Sequence, residues 1–248
     1  MTQVAAIYDI HGNLPALEAV LADIRREGVD LVICGGDVLP GPMPRECLDA
    51  LLGLEIPTHF IHGNGDRFVL EALRGVENDR LPEPVREAIR WNGEQLDPEH
   101  VRLLDSWPGT LRLPVPEVGE VLFCHATPRN DMEIFTRLTP EDRLIPIFGT
   151  AGAEVVVCGH THMQFDRMVG RTRVVNAGSV GMPIGHPDAC WLMLGDGVEL
   201  KQTRYAFNAA ADRIRQTSFP HADDFARQLV HPPAEEMMLK AYAAREIG

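Results

Sequence analysis

The segment VAAIYDIHGN, residues 4–13, sets the fold class of the chain. Its first five residues are apolar or aromatic, which predicts a short strand buried on both faces, Val4–Tyr8. A polar turn follows at once and carries the carboxylate of Asp9 and the imidazole of His11. Leucine and isoleucine then recur at helical spacing, which predicts a helix over residues 14–26. A buried strand, a polar turn and a helix in this order are typical of an α/β protein.

Four later apolar runs repeat this pattern of a buried strand that ends in a polar turn. These strands are predicted at Asp30–Cys34, Thr58–Ile61, Val118–Cys124 and Glu154–Cys158. Helical patterns lie between most of them, and strands that alternate with helices indicate an α/β fold built from βαβ units.

Other parts of the chain depart from this alternation. Residues 67–107 carry no strand signal, so we predict a helical insertion there, and it could form one wall of a substrate cleft because it follows Asn64. Short antiparallel strands are predicted from His162 to Tyr205, and the chain beyond Phe207 becomes helical. We therefore predict a main domain over residues 1–205 and a C-terminal helical extension over residues 206–248. The extension is expected to pack on the same domain, with a dimer contact as the alternative.

The composition is that of an ordinary globular protein. Of the 248 residues, 45% are hydrophobic and 24% are charged, which excludes a disordered chain. No run of about 18 apolar residues and no signal-peptide pattern is present, so we expect a cytoplasmic protein without a membrane partner. The formal net charge of −13 opposes tight binding to long nucleic acids.

The five cysteines are an odd number and include no C-x-x-C pair. Most of them lie in apolar runs, where a reduced cysteine behaves as a small hydrophobic residue. We therefore predict buried thiols and neither a disulfide nor a zinc site built on sulfur.

Metal-binding side chains follow each of the five predicted strands. They are Asp9, His11, Asp37, Asn64, His125, His160 and His162. Loops at the carboxyl ends of the strands of an α/β sheet converge on one crevice, so these residues are expected to meet. Their oxygen and nitrogen atoms suit Mn²⁺, Fe²⁺, Zn²⁺ or Mg²⁺. Each motif alone has a simpler explanation, such as a turn, a helix cap or a hydrogen-bonded core histidine; the ordered combination favours a metal site.

This ordered series resembles the signature of the calcineurin-like metallophosphoesterase superfamily. The matching motifs are Asp9-x-His11, Gly36-Asp37 with Gly41, Gly63-Asn64-x-Asp66, His125, and Gly159-His160-x-His162. The resemblance covers about Val4 to Tyr205. HATPR at residues 125–129, NAGSVG at residues 176–181, the helical insertion and the helical tail further resemble the small prokaryotic phosphodiesterase-like branch.

The resemblance implies a four-layer α-β-β-α sandwich with two metal sites. Asp9, His11 and His162 would hold one ion; Asn64, His125 and His160 would hold the other; Asp37 would bridge both. It also implies that a hydroxide between the ions hydrolyses a small-molecule phosphodiester or phosphoanhydride, such as a dinucleoside polyphosphate. Asp37, Asn64 and His160 are the residues assigned to catalysis. Mn²⁺ is the first expectation for the metal, with Fe, Zn, Ni or Mg as alternatives.

Gly65 departs from the pattern of the superfamily, in which many members have a histidine that assists the leaving oxygen. Because such assistance is often worth about 10²–10⁴ in rate, its loss favours good leaving groups. His186 is a candidate replacement, or an exposed loop residue. Asn13 is a candidate phosphate contact or a helix cap, and Arg129 a candidate contact to a second phosphate or a surface ion pair.

Other functions remain open at this point. A protein phosphatase or a nuclease of the same fold would use the same metal ligands, although the acidic charge disfavours a nuclease. A catalytically weak binding scaffold would be expected to lose metal ligands, and the whole ligand set is present here. The sequence does not predict the oligomeric state.

Overall fold

The computed structural model describes residues 2–247 of the chain. Within them lie two five-stranded sheets and nine helices. The strands are β1 (Val4–Ile7), β2 (Leu31–Cys34), β3 (Thr58–Phe60), β4 (Thr110–Val115), β5 (Gly119–Cys124), β6 (Val155–Cys158), β7 (Phe165–Val169), β8 (Thr172–Asn176), β9 (Ala189–Leu194) and β10 (Val198–Thr203). The helices are α1 (Leu14–Glu27), α2 (Pro44–Leu52), α3 (Asn64–Leu73), α4 (Glu83–Gln95), α5 (Pro98–Ser106), α6 (Glu141–Phe148), α7 (Phe207–Arg215), α8 (Ala222–Val230) and α9 (Glu235–Ala243).

Each sheet contains three adjacent parallel strands, and the candidate ligands lie at the carboxyl edge of these strands. The first sheet has the order β10-β9-β1-β2-β3, in which β1, β2 and β3 are parallel. The second has the order β4-β5-β6-β8-β7, in which β5, β6 and β8 are parallel. Since carboxyl ends of parallel strands lie at one edge of a sheet, the loops after these strands lie together.

Alternation along the strands produces the four layers. Val4 and Ala6 of β1 belong to an apolar cluster shared with Val121 and Phe123 of β5, so the two sheets pack face to face. Ala5 and Ile7, the intervening residues of β1, pack instead in a cluster that includes helix α1. On the far side of the second sheet, Leu122 and Val156 pack on Leu144 and Phe148 of α6. The arrangement is the predicted α-β-β-α sandwich.

The chain between His162 and Tyr205 divides between the two sheets. Strands β7 and β8 pair antiparallel, as do β9 and β10, in agreement with the sequence pattern. However, β8 also pairs in parallel with β6, and the chain then returns to the first sheet as β9 beside β1. The spacing of short strands does not specify which sheet a strand joins, so the return of the chain from the second sheet to the first was not predicted.

The insertion is helical and begins with α3 at Asn64. Its helices α3, α4 and α5 contribute Phe68, Ile89 and Leu104 to the same apolar cluster as α1. The Asn92 amide oxygen of α4 accepts a hydrogen bond from the Gly41 N–H at 3.0 Å. The insertion therefore supports the loop that follows Asp37.

The C-terminal helices run from the first sheet to the second. Helices α7 and α8 pack on the cluster of α1 through Ile214 and Leu229. Helix α9 packs through Leu239 on Met163 and Ile184, residues of two loops near the carboxyl edge. The Ile247 N–H then donates to the Ile134 carbonyl at 3.0 Å. The five cysteines are buried and free, as predicted, and no helix within residues 2–247 has the length and apolar composition to cross a membrane.

Candidate metal centre

The structure brings the seven candidate ligands to the carboxyl edges of both sheets. Asp9 and His11 follow β1, Asp37 follows β2, and Asn64 is the first residue of α3 after β3. In the second sheet, His125 follows β5 directly. His160 and His162 follow β6.

Five of these residues have left-handed backbone conformations. The φ angles are 54° for Asp9, 46° for His11, 53° for Asp37, 65° for His160 and 60° for His162. Non-glycine residues rarely adopt this region, and each instance costs of the order of 1–3 kcal/mol. Backbone hydrogen bonds maintain the conformation: the Asp9 N–H donates to Gly36 and the His11 N–H to Asp37, both at 3.0 Å. Such clustered strain is typical of a functional site.

The first set of ligands consists of Asp9, His11 and His162, all with candidate ligand atoms within 4.8 Å of one another. The His162 Nε2 atom lies 3.2 Å from Asp9 Oδ1 and 3.2 Å from His11 Nε2. His11 Nε2 is 3.9 Å from Asp9 Oδ1. One cation could be bound by all three side chains.

The second set consists of Asp37, His125 and His160, whose ligand atoms also lie within 4.8 Å of one another. His125 Nε2 is 3.4 Å from Asp37 Oδ2. The Asn64 side-chain amide is directed at the same point, 3.1 Å from His125 Nε2 and 3.0 Å from His160 Nδ1. These residues offer a second place for a cation.

Asp37 lies between the two sets. Its Oδ2 atom is 3.4 Å from His125 Nε2 in the second set and 3.8 Å from His11 Nε2 in the first. Asp9 Oδ1 likewise lies 3.8 Å from His125 Nε2. A carboxylate in this position can contact two neighbouring ions at once.

Backbone carbonyls orient three of the four imidazoles. The Nδ1 atoms of His125, His162 and His11 face the carbonyls of Gly35 at 3.0 Å, Met182 at 2.9 Å and Pro40 at 3.3 Å, respectively. Each of these rings consequently presents Nε2 to the centre. Outer hydrogen bonds of this kind fix the tautomer and the ring orientation of metal-binding histidines.

Two polar atoms at the centre lack suitable hydrogen-bond donors. Asp9 Oδ1 is buried and accepts no hydrogen bond. When the imidazoles are neutral, as metal ligands must be, the Asn64 amide oxygen faces only acceptors, at His125, His160 and the Asp131 carbonyl. Only the reversed amide would then allow donation. A cation at each set would satisfy both oxygens without that reversal, so the donor set fits divalent metal ions.

The titration behaviour of the metal-free centre agrees with this fit. Burial raises the pKa of the Asp37 carboxyl, but His125 and His11 outweigh burial and hold that pKa below its usual range. Burial lowers the pKa of His125, yet Asp37 and Asp9 outweigh it and raise the pKa to about 10. Burial lowers the pKa of His160 to about 4, with His125 adding to the effect. In the metal-free centre His125 therefore carries a proton, which a bound metal ion would replace.

Residues behind the ligands position them, and sequence reasoning did not assign these roles. Both carboxylate oxygens of Asp66 accept hydrogen bonds, from the backbone N–H groups of Asp37 at 2.8 Å, Leu39 at 3.0 Å and Gly63 at 3.0 Å. The Asn176 amide donates to the Gly159 carbonyl at 2.6 Å. Their membership of the recognised motifs was the available signal.

The NAGSVG segment also supports the first ligand loop. The Ser179 hydroxyl donates to the Asp9 carbonyl at 2.8 Å, and the Gly181 N–H donates to the same carbonyl at 3.0 Å. These two hydrogen bonds thereby stabilise the strained turn at Asp9.

Two of the candidate substrate contacts form no hydrogen bond with a candidate metal ligand, and Asn13 takes the helix-capping role that was its alternative. Asn13 is fully buried; its amide oxygen caps α1 at the Ala16 N–H, and its nitrogen donates to the Gly181 carbonyl at 2.9 Å. We therefore assign it to capping. His186 faces Gln202 at 3.2 Å and Cys190 at 3.7 Å, on strands β10 and β9, and forms no hydrogen bond with a candidate ligand.

Arg129 lies at the rim of a polar cavity of about 390 Å³ that reaches His125. His62 and Asp131 also line this cavity. The Arg129 guanidinium is paired with Glu133, with the closest contact at 2.7 Å. A phosphate at this rim would therefore compete with Glu133 for the guanidinium.

Gly65 has no space for a side chain. A Cβ atom there would lie 2.2 Å from the Leu39 carbonyl oxygen and 3.0 Å from Asp37 Oδ1. The Gly65 N–H donates to Asp37 Oδ1 at 2.7 Å. The backbone itself thus occupies the position next to the bridging carboxylate.

Comparisons with known proteins agree with this fold. The chain matches the family model of the calcineurin-like phosphoesterase superfamily domain over residues 2–195. An uncharacterised protein of Methanocaldococcus jannaschii is 28% identical over 240 residues, with 88% of this chain and 94% of that protein covered. The crystal structure of a hypothetical protein from Pyrococcus horikoshii OT3 has a TM-score of 0.78 and 22% identity, with 92% of this chain and 98% of that one covered. That of a metallophosphoesterase from Sphaerobacter thermophilus has a TM-score of 0.71 and 25% identity, with the same coverage. The chain belongs to the calcineurin-like phosphoesterase superfamily.

Proposed function

We propose that the protein is a phosphoester hydrolase with two divalent metal ions that acts on a small-molecule phosphodiester or phosphoanhydride. The position of Asp37 carries this proposal, because Oδ2 lies within 3.8 Å of an imidazole nitrogen of each ligand set. Two adjacent cation sites that share one carboxylate are typical of enzymes that displace a group in line at phosphorus.

The roles of the protein residues follow from the two sets. Asp9, His11 and His162 would hold one ion, Asn64, His125 and His160 the other, and Asp37 would contact both. When bound, two such ions lower the pKa of a water molecule and neutralise the charge of phosphate oxygens. The nitrogen and oxygen ligands accept Mn²⁺, our first choice, and also Fe, Zn, Ni or Mg.

The surroundings of the centre favour a small substrate with a good leaving group. The polar cavity beside His125 has a volume of about 390 Å³, within the range for small-molecule sites. The net charge of −13 would repel a long phosphate backbone. Because Gly65 supplies no side chain to protonate the leaving oxygen, aryl and nucleotide phosphates, including dinucleoside polyphosphates, are the favoured class.

Hydrolysis of bis-p-nitrophenyl phosphate by metal-stripped protein, before and after Mn²⁺ is added, tests the proposal. Turnover should require the metal. It should fall by about a hundredfold or more in both Asp37→Asn and His160→Ala, because loss of even an outer partner of a metal ligand costs about 10–100-fold.

His59→Ala is the matched control, since His59 is an exposed histidine of β3 that takes no part in the centre. It should retain full activity. Absence of turnover with every added metal in folded wild type would contradict the proposal and favour a binding scaffold. Faster cleavage of a phosphopeptide or single-stranded DNA than of small diesters would contradict the substrate class.

A further inference from the structure

The C-terminal helices form an apolar pocket against one ligand of the metal centre. This C-terminal pocket has a volume of about 170 Å³ and includes His162 in its wall. Its apolar wall comes from the loop residue Ile184 and from Phe225, Leu229, Met238 and Tyr242 of α8 and α9. The exposed residue Gln228 also lines it, so the pocket is open to solvent on that side.

Most of this wall lies outside the region that the family model covers. The family match ends at residue 195, whereas α8 and α9 begin at Ala222 and Glu235. The metal ligands therefore lie within the family domain, and most of the apolar wall is added by the C-terminal extension. A fold supplies the chemistry of a site separately from the groups that select its substrate, so residues of the extension are candidates for selecting the organic group.

The second observation is the position of the pocket relative to the polar cavity. The C-terminal pocket reaches His162 of the first ligand set, and the polar cavity reaches His125 of the second. The two cavities share no lining residue. The two ligand sets thus adjoin different cavities, an apolar one next to His162 and a polar one next to His125.

The pocket is held open by fixed contacts of the chain. The Gly185 N–H donates to the Pro233 carbonyl at 3.0 Å, between the loop of Ile184 and the start of α9. At the other end of α9, the Thr136 hydroxyl donates to Glu246 at 3.0 Å. Both ends of α9 are therefore anchored, which reduces the entropy that a ligand would otherwise lose in ordering its site.

The size of the pocket matches one aromatic ring, since an apolar cavity of about 150 Å³ accommodates benzene. We propose that the C-terminal pocket binds a ring-sized apolar group of a phosphoester whose phosphate lies at the metal centre. The inference rests on the proposed function for the position of the phosphate. Residues of α8 and α9 would then select the organic group of the substrate.

Calorimetric titration of the Mn²⁺-loaded protein with phenylphosphonate and with methylphosphonate tests this inference. Both probes carry the same anionic head, and only the first carries a ring. Wild type should bind phenylphosphonate about 10–100-fold more tightly, as expected from burial of one ring. Met238→Trp, which fills the pocket, should reduce this preference to less than about threefold, close to the value for an exposed ring.

Met237→Trp is the matched control, because Met237 precedes Met238 on α9 but is 56% exposed and does not line the pocket. A second pair of variants, Gln228→Trp and Arg227→Trp, repeats the comparison on α8. Both residues are exposed, so these variants are expected to fold like the wild type. Only the first member of each pair should lose the preference for the ring.

Equal affinities of wild type for the two phosphonates, or a preference that survives both Met238→Trp and Gln228→Trp, would overturn the inference. Binding of neither probe would overturn it as well. The separate hydrolysis assay with bis-p-nitrophenyl phosphate decides the proposed function, so failure of one can be told from failure of the other.

Discussion

The carboxylate of Asp66 holds Asp37 in place through its backbone. The Asp37 N–H donates to Asp66 Oδ2 at 2.8 Å, and the same oxygen accepts from the Gly63 N–H at 3.0 Å. Asp66 thereby joins the loop after β2 to the first turn of α3, which carries Asn64. One buried side chain couples ligand loops that are distant in sequence.

Asp66→Ala is expected to destabilise the protein and weaken metal binding together. Three buried N–H groups, including that of Leu39 at 3.0 Å, would lose their acceptor, so the free energy of unfolding should fall by about 2–4 kcal/mol. The affinity for Mn²⁺ should fall by about 10–100-fold, because Asp37 would no longer be positioned. Urea unfolding of metal-free protein and calorimetric titration with Mn²⁺ measure the two effects.

Asp97→Ala provides the control for this change. Asp97 accepts backbone hydrogen bonds from Glu99 and His100 at the start of α5, both at 3.1 Å. Its loss should cost about 1 kcal/mol, as for other helix caps, without any change in Mn²⁺ affinity. Equal affinities of Asp66→Ala and wild type for Mn²⁺ would show that Asp66 does not position the ligands.

Substitution of Gly65 should disturb the centre rather than supply an acid. In Gly65→Ala the new Cβ atom would lie 2.2 Å from the Leu39 carbonyl oxygen, which forces the backbone to move. We expect a loss of about 1–3 kcal/mol in the free energy of unfolding. In the wild type the Gly65 N–H donates a hydrogen bond to Asp37 Oδ1. A side chain at residue 65 would displace this N–H, so Gly65→His should lower the rate of bis-p-nitrophenyl phosphate hydrolysis.

The matched control is Gly195→Ala, whose Cβ would meet only the Gln3 side chain at 3.6 Å. It should alter neither stability nor rate. A gain in the rate of Gly65→His would show that the loop accepts a side chain and that a histidine here can assist the leaving group.

Much of the metal centre could be predicted from the sequence for a simple physical reason. Each ligand follows a buried apolar strand, and a parallel sheet collects such loops at one edge. The pairing of His162 with Asp9, and of His125 with Asp37, depends in addition on how the two sheets face each other. Periodicity along one strand carries no information about that relation, so the ligand sets rested on the family resemblance.

The position of the extension could not be predicted in the same way. The sequence predicted helices beyond Phe207, but helical spacing does not predict which part of the fold the chain packs against after Pro232-Pro233. The insertion was expected as a wall of the cleft. However, neither the C-terminal pocket at His162 nor the polar cavity at His125 is lined by a residue of α4 or α5. Helix α9 instead lies beside His162, because Leu239 packs on Met163, the residue after that ligand.

Metal binding is expected to release a proton from His125 and to strengthen as pH rises. The pKa of about 10 means that this imidazole is protonated in the metal-free protein at neutral pH, although its ordinary pKa is near 6.5. A cation must replace that proton. Burial lowers the pKa of His162, but Asp9 outweighs burial and raises that pKa as well, so Mn²⁺ affinity should increase by at least about tenfold per pH unit between pH 6.5 and 8.5. His160, with its pKa lowered to about 4, is already neutral and releases none.

The proton on His125 has the opposite effect on the stability of the metal-free protein, which falls as pH rises. Because the folded metal-free protein has the higher pKa at His125, the proton contributes stability that is complete below about pH 6.5 and is lost as pH rises towards 10. Added Mn²⁺ should therefore raise the melting temperature more at pH 8.5 than at pH 6.5. Calorimetry in two buffers with different ionisation enthalpies counts the protons released, and His125→Gln should release about one fewer than wild type. His59→Ala should leave the count unchanged. An affinity for Mn²⁺ that is independent of pH over this range would contradict a protonated His125 at the centre.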